Sequence, residues 1–467
     1  MAGADIRPVW EANRWAELLP LARGGGDVSA WIAEWSAANP PYRGPNWACG
    51  QEAALRAIHL ALASELSGEA APREAMALLA RRIGANPAYA WAQDNNHPVS
   101  EAAGLLVCGM ALGDARLAAK GSRRLDASVA RLVAQDGSFA QASPAYHRML
   151  LDVMAVAEWL RRRGGGPAAA PATLSRIAAA TRWLHRLACP QSGYLPRIGH
   201  QDGSHVADLS GAGPDDARGS LERAARMFCG ASAGWPEDAG CAALGLALPD
   251  AVLKAAPDWR SLGFLGRGQG RLRAILRTGP LRFRPGHADL LHLDVWLGPL
   301  NLLRDGGTGA YNPDDPDWLP YFQGTAAHNT IGFDGHDQMP RLGPFLFSHW
   351  PQTGDLPEGA WARDYRGRRH SREIFATPEG FRVEDRISGP FAAAVLRWRL
   401  APGNWHLTGD GVAGMGARLR ITADGPLELA LGAGLESLAY GSATPLPILE
   451  ARVGAKISRL TTIIKAT

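Results

Sequence analysis

Between about residues 10 and 250, apolar residues recur at three- and four-residue spacing and alanine, the best helix former, is abundant. Glu52 to Leu66, Pro98 to Leu112, Tyr146 to Arg162 and Ala170 to Leu187 carry the pattern most plainly, and it predicts helices there. Turns bearing glycine and proline separate them, at Gly24 to Gly26, Arg163 to Pro167 and Gly211 to Asp216. From about residue 260 the period falls to two. Arg271 to Arg277, Leu290 to Leu297, Phe381 to Ile387, Ala393 to Leu400 and Leu427 to Leu431 alternate with turns of Gly, Asp, Asn and Pro, which predicts short antiparallel strands in two packed layers. The stretch Pro249 to Trp259 separates a helical domain, residues 1–255, from a sheet domain, residues 256–467. Helices first and strands second is an α+β multidomain order and excludes a doubly wound α/β fold.

Composition adds exclusions. With 46% hydrophobic and 20% charged residues among 467, the chain is an ordinary globular protein and not a disordered one. No apolar run approaches the ~20 residues of a membrane span. The net charge of +4 is carried by arginine without a basic run or binding motif, so no nucleic-acid partner is expected. Cys49, Cys108, Cys189, Cys229 and Cys241 are scattered and lack CxxC spacing, which reads as buried apolar residues and not as a disulfide framework.

Chemistry-bearing residues cluster in four places. Asp94-Asn-Asn-His-Pro98 is a helix start with Pro98 in the first turn, where a side chain caps free amides. The same donors, where the helix dipole is positive, also form a receptor for a carboxylate. Gln135 to His147 places Tyr146 just inside another helix. The segment His287 to Trp296 holds two His–Asp sets; on one extended strand His287 and Asp289 face one way and His292 and Asp294 the other. Asp289, Asp305 and His328 have the side chains of a zinc site if their strands are neighbours, although Asp305-Gly-Gly is equally a turn and His328 equally a strand-end group.

In order along the chain, Asn95-Asn-His97, Ser143-Pro-Ala-Tyr-His147, Leu195-Pro-Arg-Ile-Gly199 with Asp202, His287-Ala-Asp289, Asp305-Gly-Gly-Thr308 and Ala327-His-Asn-Thr330 resemble the heparinase II/III family of polysaccharide lyases. The resemblance implies an incomplete (α/α) toroid followed by an antiparallel β-sandwich, with a polysaccharide cleft between them. It implies Asn96 and His97 at the substrate carboxylate, Tyr146 and His287 as catalytic residues, Asn95 and Arg197 at the substrate, and a structural zinc on Asp289, Asp305 and His328. Heparin-cleaving members often have His-x-His where this chain has His287-Ala-Asp289, and many relatives have an acidic residue where this chain has Gln141. The implied partner is an acidic polysaccharide, such as a bacterial exopolysaccharide, alginate or a glycosaminoglycan. A periplasmic or secreted location is expected, although Met1 to Arg7 has no intact secretory signal.

The implied reaction is β-elimination. The C5 proton of a uronate leaves, donors stabilise the growing charge on the carboxylate, and the bond to the C4 oxygen breaks. Tyrosine has an ordinary pKa near ~10, so a basic Tyr146 requires cationic neighbours, for which His287, Arg197 and Arg284 are candidates. A glycoside hydrolase would instead need two opposed carboxyl groups, available from Asp94, Glu101, Asp136 and Asp202. A non-catalytic carbohydrate-binding protein would use some of the 16 tryptophans as stacking faces.

Overall fold

The computed structural model describes residues 5–282 and 284–467. Thirteen α-helices lie among them: α1 (Arg7–Glu11), α2 (Leu18–Arg23), α3 (Val28–Ala38), α4 (Gly50–Ser67), α5 (Arg73–Gly84), α6 (Pro87–Ala92), α7 (His97–Leu112), α8 (Ala115–Leu132), α9 (Pro144–Arg163), α10 (Pro171–Leu187), α11 (Arg218–Ala224), α12 (Ala239–Ala243) and, inside the later half, α13 (Trp318–Gln323). Helices α4, α7 and α9 are buried along most of their length, including the charged groups Glu52, Arg56, Arg148 and Asp152. Helix α8 buries only Ala118, Leu125, Val129, Leu132 and small residues between them, and turns its arginines outward. It can approach α7 because Gly121 has no side chain; a Cβ there would lie 2.3 Å from the Leu106 amide nitrogen.

The later half is built of antiparallel strands: β1 (Trp259–Ser261), β2 (Phe264–Gln269), β3 (Leu272–Arg277), β4 (Leu293–Leu297), β5 (Leu300–Leu303), β6 (Ile331–Phe333), β7 (Arg341–Gly343), β8 (Leu346–Phe347), β9 (Gln352–Leu356), β10 (Gly359–Arg363), β11 (Arg369–Thr377), β12 (Gly380–Ser388), β13 (Ala393–Arg399), β14 (Trp405–Thr408), β15 (Gly411–Gly414), β16 (Ala417–Ala423), β17 (Leu427–Glu436), β18 (Thr444–Gly454) and β19 (Arg459–Ala466). Strands β1 to β5 form one sheet in sequence order, an eight-stranded sheet runs β14-β15-β16-β19-β12-β11-β10-β9, a four-stranded sheet runs β17-β18-β13-β6, and β7 pairs with β8. One apolar core joins Val383, Leu419, Leu460 and Ile464 of the eight-stranded sheet to Leu396, Trp398 and Leu449 of the four-stranded one. The Trp398 indole crosses that core to donate to Thr462 Oγ1 at 3.2 Å.

The strand expected over Leu290 to Leu297 begins only at Leu293. Leu291 takes a left-handed φ of +62°, and its amide bonds the Arg277 carbonyl at 2.8 Å. Alternation of faces therefore does not extend back to His287, and the inference that only one His–Asp set faces a given site does not hold. Both His287 and His292 lie against His328, with ring centroids at 5.3 and 5.9 Å.

The two halves share packing. Phe264, Ile275 and Trp296 belong to the helical core, and Trp183 packs edge-on against Phe264 at 5.2 Å. Trp183 also stacks on His147 at 4.5 Å and donates to Ser261 Oγ at 2.8 Å. Across the same seam Thr308 Oγ1 accepts the Gln201 amide at 2.7 Å.

Candidate active site

A cavity of about 780 Å³ is lined from both halves: Arg7 and Arg14, Cys49 to Glu52, Asn95 to His97, Gln141, Tyr146, His200 and Asp202 from the helical part, and Arg284, Tyr311 and Phe345 from the sheet part. Three helix starts position its polar wall. Asn96 precedes α7, and Asn95 Oδ1 accepts the His97 amide at 3.0 Å. Asn96 itself makes no cap bond; its side-chain amide is buried and donates to Gln51 Oε1 at 2.7 Å, in the first turn of α4. Ser143 caps α9 by accepting the Tyr146 amide at 3.2 Å and donates to the His200 carbonyl at 2.5 Å. Gly199, at φ +70°, allows this approach, because a Cβ would come within 2.3 Å of the Ala142 carbonyl oxygen.

Tyr146 donates to Asp202 Oδ2 at 2.7 Å, and its oxygen lies 2.8 Å from that of Tyr311. Arg7 Nε donates to the same Asp202 oxygen at 2.6 Å. Burial, then the Asp202 charge, pushes the Tyr146 hydroxyl well above the ordinary tyrosine range. Against the cost of burial, Arg7 holds Asp202 well below the usual carboxylate range. On Tyr146 Arg7 acts in the opposite direction, but burial and Asp202 outweigh it, which favours the protonated hydroxyl over a basic Tyr146. Burial keeps His97 and His200 neutral, each pushed down to about 4. His200 Nε2 is buried and has no hydrogen-bond partner among the described residues.

His287 does not line the cavity. It stands behind His200, with ring centroids 5.2 Å apart, and neither of its ring nitrogens has a hydrogen-bond partner among the described residues. Its ligand atoms, with those of Asp305 and His328, all lie within 4.8 Å of one another. Asp305 Oδ2 accepts from His328 Nδ1 at 2.8 Å, leaving His328 Nε2 unpartnered and buried. Two imidazoles and one carboxylate so placed could hold a divalent cation, which would tie together segments that arrive from three parts of the chain. Asp289, expected as the first ligand, instead turns toward Arg277, whose Nε lies 3.8 Å from Oδ1, and His287 occupies the place expected for it. Arg197 lies outside the cavity lining and reaches Asp215 at 3.4 Å.

Residues 251–437 match the family model described as Heparinase II/III-like, C-terminal. This later part of the chain is Heparinase II/III-like. Among solved structures it is similar to heparinase III, at 14% identity and a TM-score of 0.73 over 93% of this chain and 72% of that one. It is similar also to heparan sulfate lyase HepC from Pedobacter heparinus, at 17% identity and a TM-score of 0.63 over 100% and 77%. Chondroitinase AC lyase follows at 11% identity and a TM-score of 0.57 over 93% and 70%. At these identities the likeness is one of fold. No curated protein matches the chain by sequence.

Arg7, His200 and Tyr311 complete the site without having been singled out as site residues, whereas Asp202 is named with the Leu195–Gly199 motif and among the candidate carboxyl groups. His200 follows that motif closely enough to have been a candidate. Arg7 carries no such signal, since it meets Asp202 across 195 residues of sequence.

Proposed function

We propose that the chain cleaves a uronate-containing polysaccharide by β-elimination, and that its helical half is the incomplete (α/α) toroid of the family. The observation that carries the proposal is that Asn95, Asn96, His97 and Tyr146 line one cavity with a neutral His200. The carboxylate is received at the start of α7, where amide donors and the helix dipole favour negative charge. His200, with its unpartnered nitrogen, takes the C5 proton in place of His287. The electron pair forms the C4–C5 double bond, the C4–O bond breaks, and Tyr146 passes its proton to the departing oxygen. Asp202 and Tyr311 hold that hydroxyl in place, and the Arg7 charge keeps Asp202 from drawing the proton away.

The test is incubation with a panel of uronate polymers, read by ultraviolet absorbance of unsaturated ends. Tyr146→Phe is expected to reduce kcat at least ~100-fold with little change in stability, within the range assigned to a positioned acid. Saturated ends, or full activity of Tyr146→Phe, would overturn the proposal.

A further inference from the structure

The charges around the cavity leave little for a polyanion. Five carboxyl groups line it (Asp5, Glu52, Asp94, Glu101 and Asp202) against four guanidinium groups (Arg7, Arg14, Arg82 and Arg284). Arg7 is held by Asp202, and Arg14 is held by Glu52 at 2.7 Å. Arg82 donates to the backbone carbonyls of Trp47 and Ala48, both at 2.5 Å. Arg284 stands at the mouth over the face of Phe345, 5.9 Å from its centroid.

Glu101 is different from the other four carboxyl groups. Only 7% exposed, it makes no side-chain hydrogen bond or ion pair among the described residues, yet it lines the cavity. It follows His97 by four residues on α7, so both project from the same face about 6 Å apart. That spacing is close to the length of one sugar ring. Gly50 at the start of α4 leaves room for it, since a Cβ there would meet Glu101 Oε1 at 2.6 Å. Tyr89, 60% exposed on the same rim, offers an aromatic face to a sugar ring there.

Resting on the lyase reading above, we propose that Glu101 is a specificity-determining residue: it excludes an anionic group from the sugar next to the bound uronate. The substrate is then a polymer in which uronate alternates with an uncharged sugar, and neither a polyuronate nor a heavily sulfated chain. A sulfate or second carboxylate set about 5 Å from the Glu101 carboxylate in a partly buried cleft would lower binding of the transition state by at least ~10-fold.

The experiment compares kcat/KM of the intact protein at about pH 8.5, above the value of about 7 to which burial pushes Glu101 so that its carboxyl is charged, on unsulfated and sulfated members of the same backbone (chondroitin and chondroitin sulfate, heparosan and N-sulfated heparosan) and on polymannuronate, for the native chain and Glu101→Gln. The expected result is cleavage of an unsulfated alternating polymer, at least ~10-fold weaker cleavage of its sulfated partner, and a rise of at least ~5-fold in the sulfated-to-unsulfated ratio for Glu101→Gln. A purely structural role for Glu101 would lower both members alike and leave the ratio fixed, which overturns the assignment. Equal cleavage of sulfated or polyuronate chains by the native protein overturns it as well, while leaving the lyase reading intact. Failure of every polymer to yield unsaturated ends removes the lyase reading itself, and this inference with it.

Discussion

In water a glutamate gives up its proton near pH ~4.3, but burial in the cleft pushes Glu101 up to about 7, only partly offset by Arg82 and Arg124. The folded state thus binds a proton that the unfolded chain has lost. Its contribution to stability is complete below about pH 4.3 and is lost as pH rises through about 7, amounting to roughly 3–4 kcal/mol. Glu101→Gln removes that dependence. Urea melts at several pH values should show the variant gaining on the native chain between about pH 4.5 and 8; a constant difference would mean that the carboxyl is not held neutral. Residues of this kind were only half legible. Asn96, His97 and Tyr146 could be picked out because helix-start signals flank them, whereas Tyr311 acquires its place only when a distant segment folds against Tyr146.

At the scale of the element, the first turn of α9 supports two functional side chains through Ser143, which accepts the Tyr146 amide and donates to the His200 carbonyl. Losing a serine cap costs about 1 kcal/mol, and losing the second bond in a buried setting adds about 1 kcal/mol more. Ser143→Ala is therefore expected to lower stability by about 2 kcal/mol in urea unfolding and to lower kcat with little change in KM, because acid and proposed base both shift. An unchanged kcat would show that the cap positions neither. Periodicity found the long helices α4, α7, α9 and α10 to within about two residues, because runs of many turns repeat the signal. It misplaced the start of β4, since a leucine in left-handed conformation leaves no mark on an alternating apolar pattern. Ahead of the true strand start, His287 lies in the candidate metal cluster and Asp289 beside Arg277.

At the scale of the whole molecule, helices preceding strands was legible from the change of period, but the seam between them was not, because it depends on which apolar residues escape their own half. Phe264 is one of these: it is 1% exposed, comes from β2 and packs against Trp183 in the helical core. Phe264→Ala should cost about 3–5 kcal/mol by leaving a cavity. Calorimetry should then show the joint transition broaden or divide as the halves uncouple; a sharp single transition at the native temperature would mean that Phe264 does not couple them.

The contact between the hydroxyls of Tyr146 and Tyr311 has a consequence in time. A ribosome delivers the helices first, with Tyr146 and Asp202 in hand but without the wall that carries Tyr311 and Arg284. The Tyr146–Asp202 pair is complete early and its chamber late. A partly made or partly degraded chain therefore lacks one wall of the cavity, and under the proposed mechanism competence would arrive only with the closing of the last layer.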